Sequence, residues 1–245
     1  YMKHIPDGME HVRYEFLEGI LGNDVAGFHI NEYVENFLDC VREFTDADIT
    51  FDNGRVVHEI DGRKTITNVG TYPISIDYDE WETMARNADN PDEIYPGRFF
   101  ILGAERFDYT KGLKEKVAGI SRFLELYGHE YRGNIIFYQI VAPSREGIPE
   151  YDRYEKEITD QVNELNDRYG IGDYKPVELV KRSFSPKELA RFYERADAFA
   201  VTPKKDGMNL MVKEYVASQI QERGALILSI HAGAAEELGA DSFTV

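Results

Sequence analysis

From Phe99 onward, short apolar runs alternate with longer amphipathic ones at close intervals, and few folds accept that rhythm. Phe99–Gly103, Asn134–Val141, Pro176–Val180, Ala198–Thr202 and Leu226–Ser229 read as strands, because each is short and mostly apolar. Between them, Lys111–Tyr127, Glu150–Tyr169, Pro186–Ala196 and Met208–Gln221 carry apolar residues at three- and four-residue spacing and read as helices. Ser185 gives one of these helices a capping residue, and Pro186 opens its first turn. Strands and helices that alternate through short links make a parallel sheet covered on both faces. Ligands of such sheets bind beyond the carboxyl ends of the strands, so the loops that follow strands are the places to search for chemistry.

The first ninety-odd residues are less regular. Val12–Leu21 predicts a helix, Val25–Phe28 a short apolar segment, and Asn31–Phe44 a second helix with Asn31 as its cap. Then Asp48–Phe51 and Val56–Ile60 flank Asp52-Asn53-Gly54-Arg55, the pattern of a type I′ hairpin. Thr65–Val69 and Tyr72–Ile76 continue as strands. Asn87–Gly97 is polar and turn-rich, with Asn90-Pro91-Asp92 and Tyr95-Pro96-Gly97, and reads as a linker. The expected division is residues 1–93 and 94–245, with no internal repeat and no low-complexity segment.

Composition narrows the partners. Hydrophobic residues make up 42% and aromatics 13%, enough for a packed core. A net charge of −17 opposes a general binder of nucleic acid or membrane surfaces, since both are polyanions. Any phosphate site must then be local, a few cations set in acidic surroundings, while the acidity itself reads as a solubility device suited to a salt-rich cytoplasm. Apolar runs such as Ala225–Ile230 are far too short to span a bilayer. The opening Tyr1-Met2-Lys3-His4-Ile5-Pro6 lacks the succession of a signal peptide. The single cysteine, Cys40, excludes an internal disulfide and fits a reducing, cytoplasmic compartment. Its neighbours Phe37, Leu38 and Val41 make it a packing residue rather than a nucleophile. Trp81, Tyr14, Phe16 and Phe28 likewise fit core or helix-face roles better than a sugar platform. Association into a homo-oligomer stays open.

Three loops carry candidate chemistry. The first, Glu105-Arg106-Phe107-Asp108-Tyr109-Thr110-Lys111-Gly112, follows a strand and precedes a helix. Arg106 and Lys111 there suit the several anionic oxygens of a diphosphate, although a solvated loop would carry them equally well. In the second, Pro143-Ser144-Arg145-Glu146-Gly147, Arg145 either reaches a phosphate or pairs with Glu146 or Glu150. The third is Asp206-Gly207-Met208-Asn209-Leu210, leading into Lys213-Glu214-Tyr215-Val216. Gly207 lets the backbone approach a ligand, and the following amides open a helix, which is an anion site in itself. Asp206 and Glu214 are acceptors suited to sugar hydroxyls; the alternative is a helix cap by Asp206 and a surface Glu214. His4 is isolated beside Pro6, where a structural role competes with a catalytic one. There is no cysteine pair for zinc, no GxxxxGK[ST] loop, no GxSxG elbow and no GxGxxG turn.

Taken in order, these loops resemble the trehalose-6-phosphate synthases, glycosyltransferase family 20. The similarity runs from about Val12 to the end and is densest over Phe99–Leu238. Val69-Gly70-Thr71-Tyr72-Pro73-Ile74 and Ala232-Gly233-Ala234-Ala235-Glu236-Glu237-Leu238 add to it. The resemblance implies an α/β fold of the GT-B type, two facing Rossmann-like domains with parallel sheets, the first incomplete here. It implies transfer of glucose from UDP-glucose to glucose 6-phosphate with retention, without a protein nucleophile, cofactor or metal. Arg106 and Lys111 would hold the donor diphosphate, and Asp206 with the backbone of Gly207, Met208, Asn209 and Leu210 the glucose. Glu214 would take the ribose, Arg145 the acceptor phosphate, and His4-Ile5-Pro6 would correspond to a histidine motif beside the glucose. Family members carry well over a hundred residues ahead of His4, so a longer parent chain is expected. Within the class, glycerol 3-phosphate as acceptor or a GDP- or ADP-linked donor remain alternatives, and outside it a non-catalytic sugar-phosphate sensor.

Overall fold

The computed structural model describes residues 8–50, 54–60, 62–143 and 147–245. The chain divides between Ile74 and Ser75 into two compact units. In the first, α1 (Glu10–Leu21) leads into β1 (Val25–Phe28), α2 (Asn31–Phe44), β2 (Asp48–Thr50), β3 (Arg55–Ile60) and β4 (Arg63–Thr71). The sheet order is β1-β4-β3-β2, with β1 parallel to β4 and the other pairs antiparallel. Leu17 and Leu21 of α1 and Val34, Phe37 and Val41 of α2 recur at helical spacing, and they pack over Ala26, Val56 and Val69. Cys40 is partly buried against the same core. The Phe28 ring lies tilted 5.1 Å from that of Phe37, whereas Phe16 is more than half exposed.

Two expectations change here. Ile30, not Asn31, holds the cap position of α2; Asn31 is the first helical residue, and its Nδ2 donates to Glu35 Oε1 at 2.9 Å. Tyr72–Ile76 forms no strand, because Pro73 has no N–H for a ladder; β4 ends at Thr71 after Tyr72 N donates once more to Phe28 O at 2.6 Å. The hairpin pairs Thr50 with Arg55, while its turn residues 51–53 lie outside the described residues.

The second unit runs α3 (Tyr78–Arg86), β5 (Phe99–Arg106), α4 (Leu113–Tyr131), β6 (Ile135–Ala142), α5 (Pro149–Tyr169) and β7 (Val177–Val180). It continues with α6 (Pro186–Arg195), β8 (Ala198–Val201), α7 (Leu210–Ser218), β9 (Ala225–Leu228), α8 (Ala235–Leu238) and β10 (Phe243–Thr244). All strand pairs are parallel, in the order β10-β9-β8-β5-β6-β7. From β5 the chain winds outward to β7, returns to β8, and winds the other way to β10. This is the doubly wound arrangement, and its reversal falls between β5 and β8.

Both faces are covered, which is why the strands are apolar on both sides. Leu113, Val117, Ile120 and Leu124 of α4, with Ile158, Val162 and Leu165 of α5, pack on Ile135, Val141 and Val177. Phe192 and Tyr193 of α6 and Tyr215 of α7 pack instead on Phe100, Tyr138 and Phe199. The start of α6 is as expected: Ser185 Oγ accepts from Glu188 N at 3.3 Å, and Glu188 Oε2 accepts from Ser185 N at 2.8 Å.

Helix α3 is not anticipated by the sequence reading. Its signals are Asp77, whose Oδ1 accepts from Glu80 N at 3.0 Å, and Trp81 and Ala85, buried four residues apart. Trp81 lies 5.7 Å from Tyr193, a core role as expected. The stretch expected as a linker is bonded into the second unit. Arg195 donates to the carbonyls of Ile94, Tyr95 and Arg98 at 2.8, 3.3 and 2.7 Å. Arg223 Nη2 pairs with Asp92 Oδ1 at 2.8 Å. Turn-rich composition reports irregular backbone, and irregular backbone whose carbonyls are taken by arginines belongs to a unit rather than between units. The break between compact units lies between Ile74 and Ser75, before α3.

Candidate active site

The loop after β5 is shaped by its own side chains. Asp108 Oδ1 accepts from Thr110 N at 2.9 Å and Thr110 Oγ1 at 2.7 Å, drawing Tyr109–Lys111 into one tight turn. Gly112 follows at φ +68°, and a Cβ there would stand 2.3 Å from Thr202 O. The loop is thus pressed against the segment after β8, and Lys204 N donates to Thr110 O at 2.8 Å across the contact. The two loops also meet through side chains. Lys111 Nζ donates to Asp206 Oδ2 at 2.5 Å, with the two side chains only 16% and 13% exposed. Arg106 stands exposed at the end of β5.

The loop after β8 is fixed from its other side. Asp206 N donates to His231 O at 3.1 Å, Gly233 N to Asp206 O at 3.1 Å, and Ala234 N to Met208 O at 2.8 Å. The Asp206 carboxylate accepts from Asn209 Nδ2 at 3.0 Å and from Met208 N at 3.4 Å. Asn209, at φ 72°, holds the cap position of α7, so Asp206 organises the loop rather than capping the helix. The Oδ1 of Asn209 is buried and has no hydrogen-bond partner among the described residues. A Cβ at Gly207 would meet no atom within 4 Å, so packing does not demand glycine there. Glycine matters at such a position when something from outside must approach the backbone.

Glu214, half-buried on α7, accepts from the Tyr193 hydroxyl at 3.2 Å. Burial raises its carboxyl above the ordinary range, and the Tyr193 hydrogen bond works the other way. Burial first, and the Glu214 charge next, hold the Tyr193 phenol well above its usual value. A raised carboxyl pKa means that the folded chain disfavours the carboxylate. That cost is absent below the ordinary glutamate range, where folded and unfolded forms are both protonated, and it grows as pH rises through that range. Glu214→Gln is therefore expected to raise the thermal midpoint at pH 7, with the gain closing towards about pH 4. Identical melting curves of the two proteins at pH 7 would contradict the burial effect.

Of the candidates, Lys111 and Asp206 are brought into contact, and Gly207, Met208, Asn209 and Leu210 follow Asp206 into α7. Arg106 lies on the same β5 loop, and Glu214 one turn inside α7. His4 and Arg145 lie outside the described residues. Among the described residues no group of three or more His, Cys, Asp or Glu side chains is placed to hold a metal ion. Sequence reasoning passes over Tyr193, Lys116 and Gln139, and takes Glu105 only as part of a loop. All four side chains are buried. The available signals are Glu105 at the end of β5 and Gln139 within β6, polar residues in strands that are mostly apolar.

The family model described as Glycosyltransferase family 20 matches residues 8–245. Over 233 residues the chain is 34% identical to the 56 kDa subunit of the alpha,alpha-trehalose-phosphate synthase [UDP-forming] of Saccharomyces cerevisiae, covering 93% of this chain and 46% of that one. An E. coli trehalose-6-phosphate structure bound with UDP-2-fluoro glucose superposes with a TM-score of 0.85 at 30% identity, over 95% of this chain and 51% of that one. The UDP-forming alpha,alpha-trehalose-phosphate synthase of Burkholderia xenovorans in complex with glucose-6-phosphate gives 0.85 at 28%, over 99% and 55%. The chain thus spans about half the length of these relatives.

Proposed function

The chain belongs to glycosyltransferase family 20, and on that premise we propose that it carries the donor site for transfer of glucose from UDP-glucose to glucose 6-phosphate, giving trehalose 6-phosphate and UDP with retained configuration. The observation that carries this reading is the Lys111–Asp206 pair, which joins the loops after β5 and β8 where the sheet reverses its winding. A cation for phosphate and an acceptor for hydroxyls stand together there, as a sugar diphosphate requires. Relatives with UDP-2-fluoro glucose and glucose-6-phosphate bound support the choice of donor and acceptor.

In this reading Arg106 and Lys111 face the diphosphate, and charge that builds on it as the sugar departs is met by them and by the amides opening α7. The bond that Lys111 donates to Asp206 keeps the ammonium aimed while leaving other carboxylate lone pairs for sugar hydroxyls. Asp206 and the backbone from Gly207 to Leu210 orient the glucose, and Glu214 accepts from the ribose. As the resemblance implies, no protein nucleophile takes part, and the proton of the acceptor passes to a donor phosphate oxygen. Catalysis then rests on positioning and on charge stabilisation by residues already in place, with no need of a metal. Arg145 and His4 keep the roles that the resemblance gives them, at the acceptor phosphate and beside the glucose. The single cysteine supports a cytoplasmic setting.

UDP release from UDP-glucose, followed with glucose 6-phosphate and with glycerol 3-phosphate, tests the assignment. Release that requires glucose 6-phosphate is expected. Release only with glycerol 3-phosphate would move the acceptor, and UDP binding without release would leave a sensor. Arg106→Ala is expected to weaken UDP binding by about 1.5 kcal/mol or more, roughly tenfold. Calorimetry showing unchanged affinity would remove Arg106 from the site.

A further inference from the structure

Glu105, Lys116 and Gln139 form a buried polar group beneath the two loops, and the reaction outlined above does not use it. Lys116 Nζ donates to Glu105 Oε1, to Gln139 Oε1 at 3.3 Å and to Ala200 O at 2.8 Å. Gln139 Nε2 donates to Glu105 Oε2 and to Ile140 O at 3.0 Å. The Lys116 and Glu105 side chains are 8% and 3% exposed. A buried ion pair adds little stability over an apolar pair of the same volume, so stability alone does not account for it.

Location does. The register between β5 and β8 covers Ile101↔Ala198 and Leu102↔Phe199 and ends there, whereas β5 stays paired with β6 as far as Arg106↔Ala142. Strands β5 and β8 therefore part just below the loops that carry Arg106 and Asp206. Val201 O accepts from Ser229 N on the β9 side at 2.8 Å, so alternation turns Ala200 O towards β5. That carbonyl lies past the last β5–β8 register pair and is taken by the Lys116 ammonium. One ammonium thus spans the parting, held to β8 by Ala200, to β5 by Glu105 and to β6 by Gln139. Glu105 directly precedes Arg106, and Lys116 N donates to Gly112 O at 2.9 Å, next to Lys111.

We propose that Lys116, clamped by Glu105 and Gln139, is a positioning group that sets the spacing of β5 and β8, and with it the placement of Arg106 and Lys111 relative to Asp206. The inference rests on the diphosphate reading of those residues.

The test measures UDP affinity and thermal midpoint together. Lys116→Met leaves the Glu105 carboxylate buried without its cation and is expected to lower both. In Glu105→Gln/Lys116→Met, a neutral amide faces Gln139 and no charge is stranded. Its midpoint is expected to return close to that of the unsubstituted chain, while UDP affinity stays down about tenfold or more. A double variant that recovers affinity together with its midpoint overturns the inference, because the group would then serve stability alone. Should the double variant fold poorly, Gln139→Leu keeps the ion pair and frees one carboxylate oxygen. An affinity loss of roughly threefold is expected for it, and unchanged affinity overturns the inference. An unsubstituted chain that binds no UDP overturns the diphosphate reading and this inference with it. UDP binding that the double variant retains in full overturns this inference alone.

Discussion

Arg195→Met should destabilise the second unit by about 3 kcal/mol, the lower end for breaking a buried charge pair, and lower its thermal midpoint by roughly 10 °C. The Arg195 side chain is 7% exposed, and Nη1 donates to Asp197 Oδ2 at 2.8 Å. Asp197 Oδ2 also accepts from Phe100 N at 2.7 Å, so the carboxylate ties the start of β5 to the end of α6. Methionine fills most of the stem volume but strands that carboxylate, which at 26% exposure still reaches some water and keeps the cost below the full range. It also leaves the carbonyls of Ile94, Tyr95 and Arg98 without their donor. Urea denaturation checks the figure. A change below about 1 kcal/mol would mean that water replaces the guanidinium at no great cost.

Gly112→Ala should cost about 2–4 kcal/mol and should weaken UDP binding beyond what lost stability explains. The first part of the cost is conformational, because φ +68° is open to glycine and disfavoured for alanine. The second is steric. The new Cβ would stand 2.3 Å from Thr202 O, a backbone atom that cannot rotate aside. Relief requires the β5 and β8 loops to separate, and both the Lys204 N–Thr110 O hydrogen bond and the Lys111–Asp206 pair cross that contact. Chemical denaturation and UDP titration together check this. A G112A chain with ordinary stability and affinity would show that the loops are not held in register by this contact.

The parallel sheet was legible because two-sided burial leaves a mostly apolar run, as in Phe99–Gly103 and Asn134–Val141. Helix ends were legible where a side chain closes them, as Ser185 does. Helix α3 escaped because Asp79, Glu80 and Glu82 surround the two residues it buries, Trp81 and Ala85. The arginine bonds to the turn-rich stretch were hidden for the same reason as the overlooked ion pair. Arg195, Glu105 and Lys116 read as solvent charges in a sequence, and only the fold shows that each is enclosed by partners. The loops after β5 and β8 could be picked out by position, but the Lys111–Asp206 contact joins residues 95 positions apart and has no local signature.

The short register between β5 and β8 has a mechanical consequence. The six strands amount to two three-stranded panels, β7-β6-β5 and β8-β9-β10, joined along a seam of Ile101, Leu102, Ala198 and Phe199 with the Lys116 ammonium at its open end. On the function proposed above, a ligand gripped by Arg106 and Lys111 on one panel and by Asp206 on the other is a suture across that seam. Occupancy and lateral cohesion are then coupled: force or heat that parts the panels ejects the ligand, and a bound ligand stiffens the sheet at that seam.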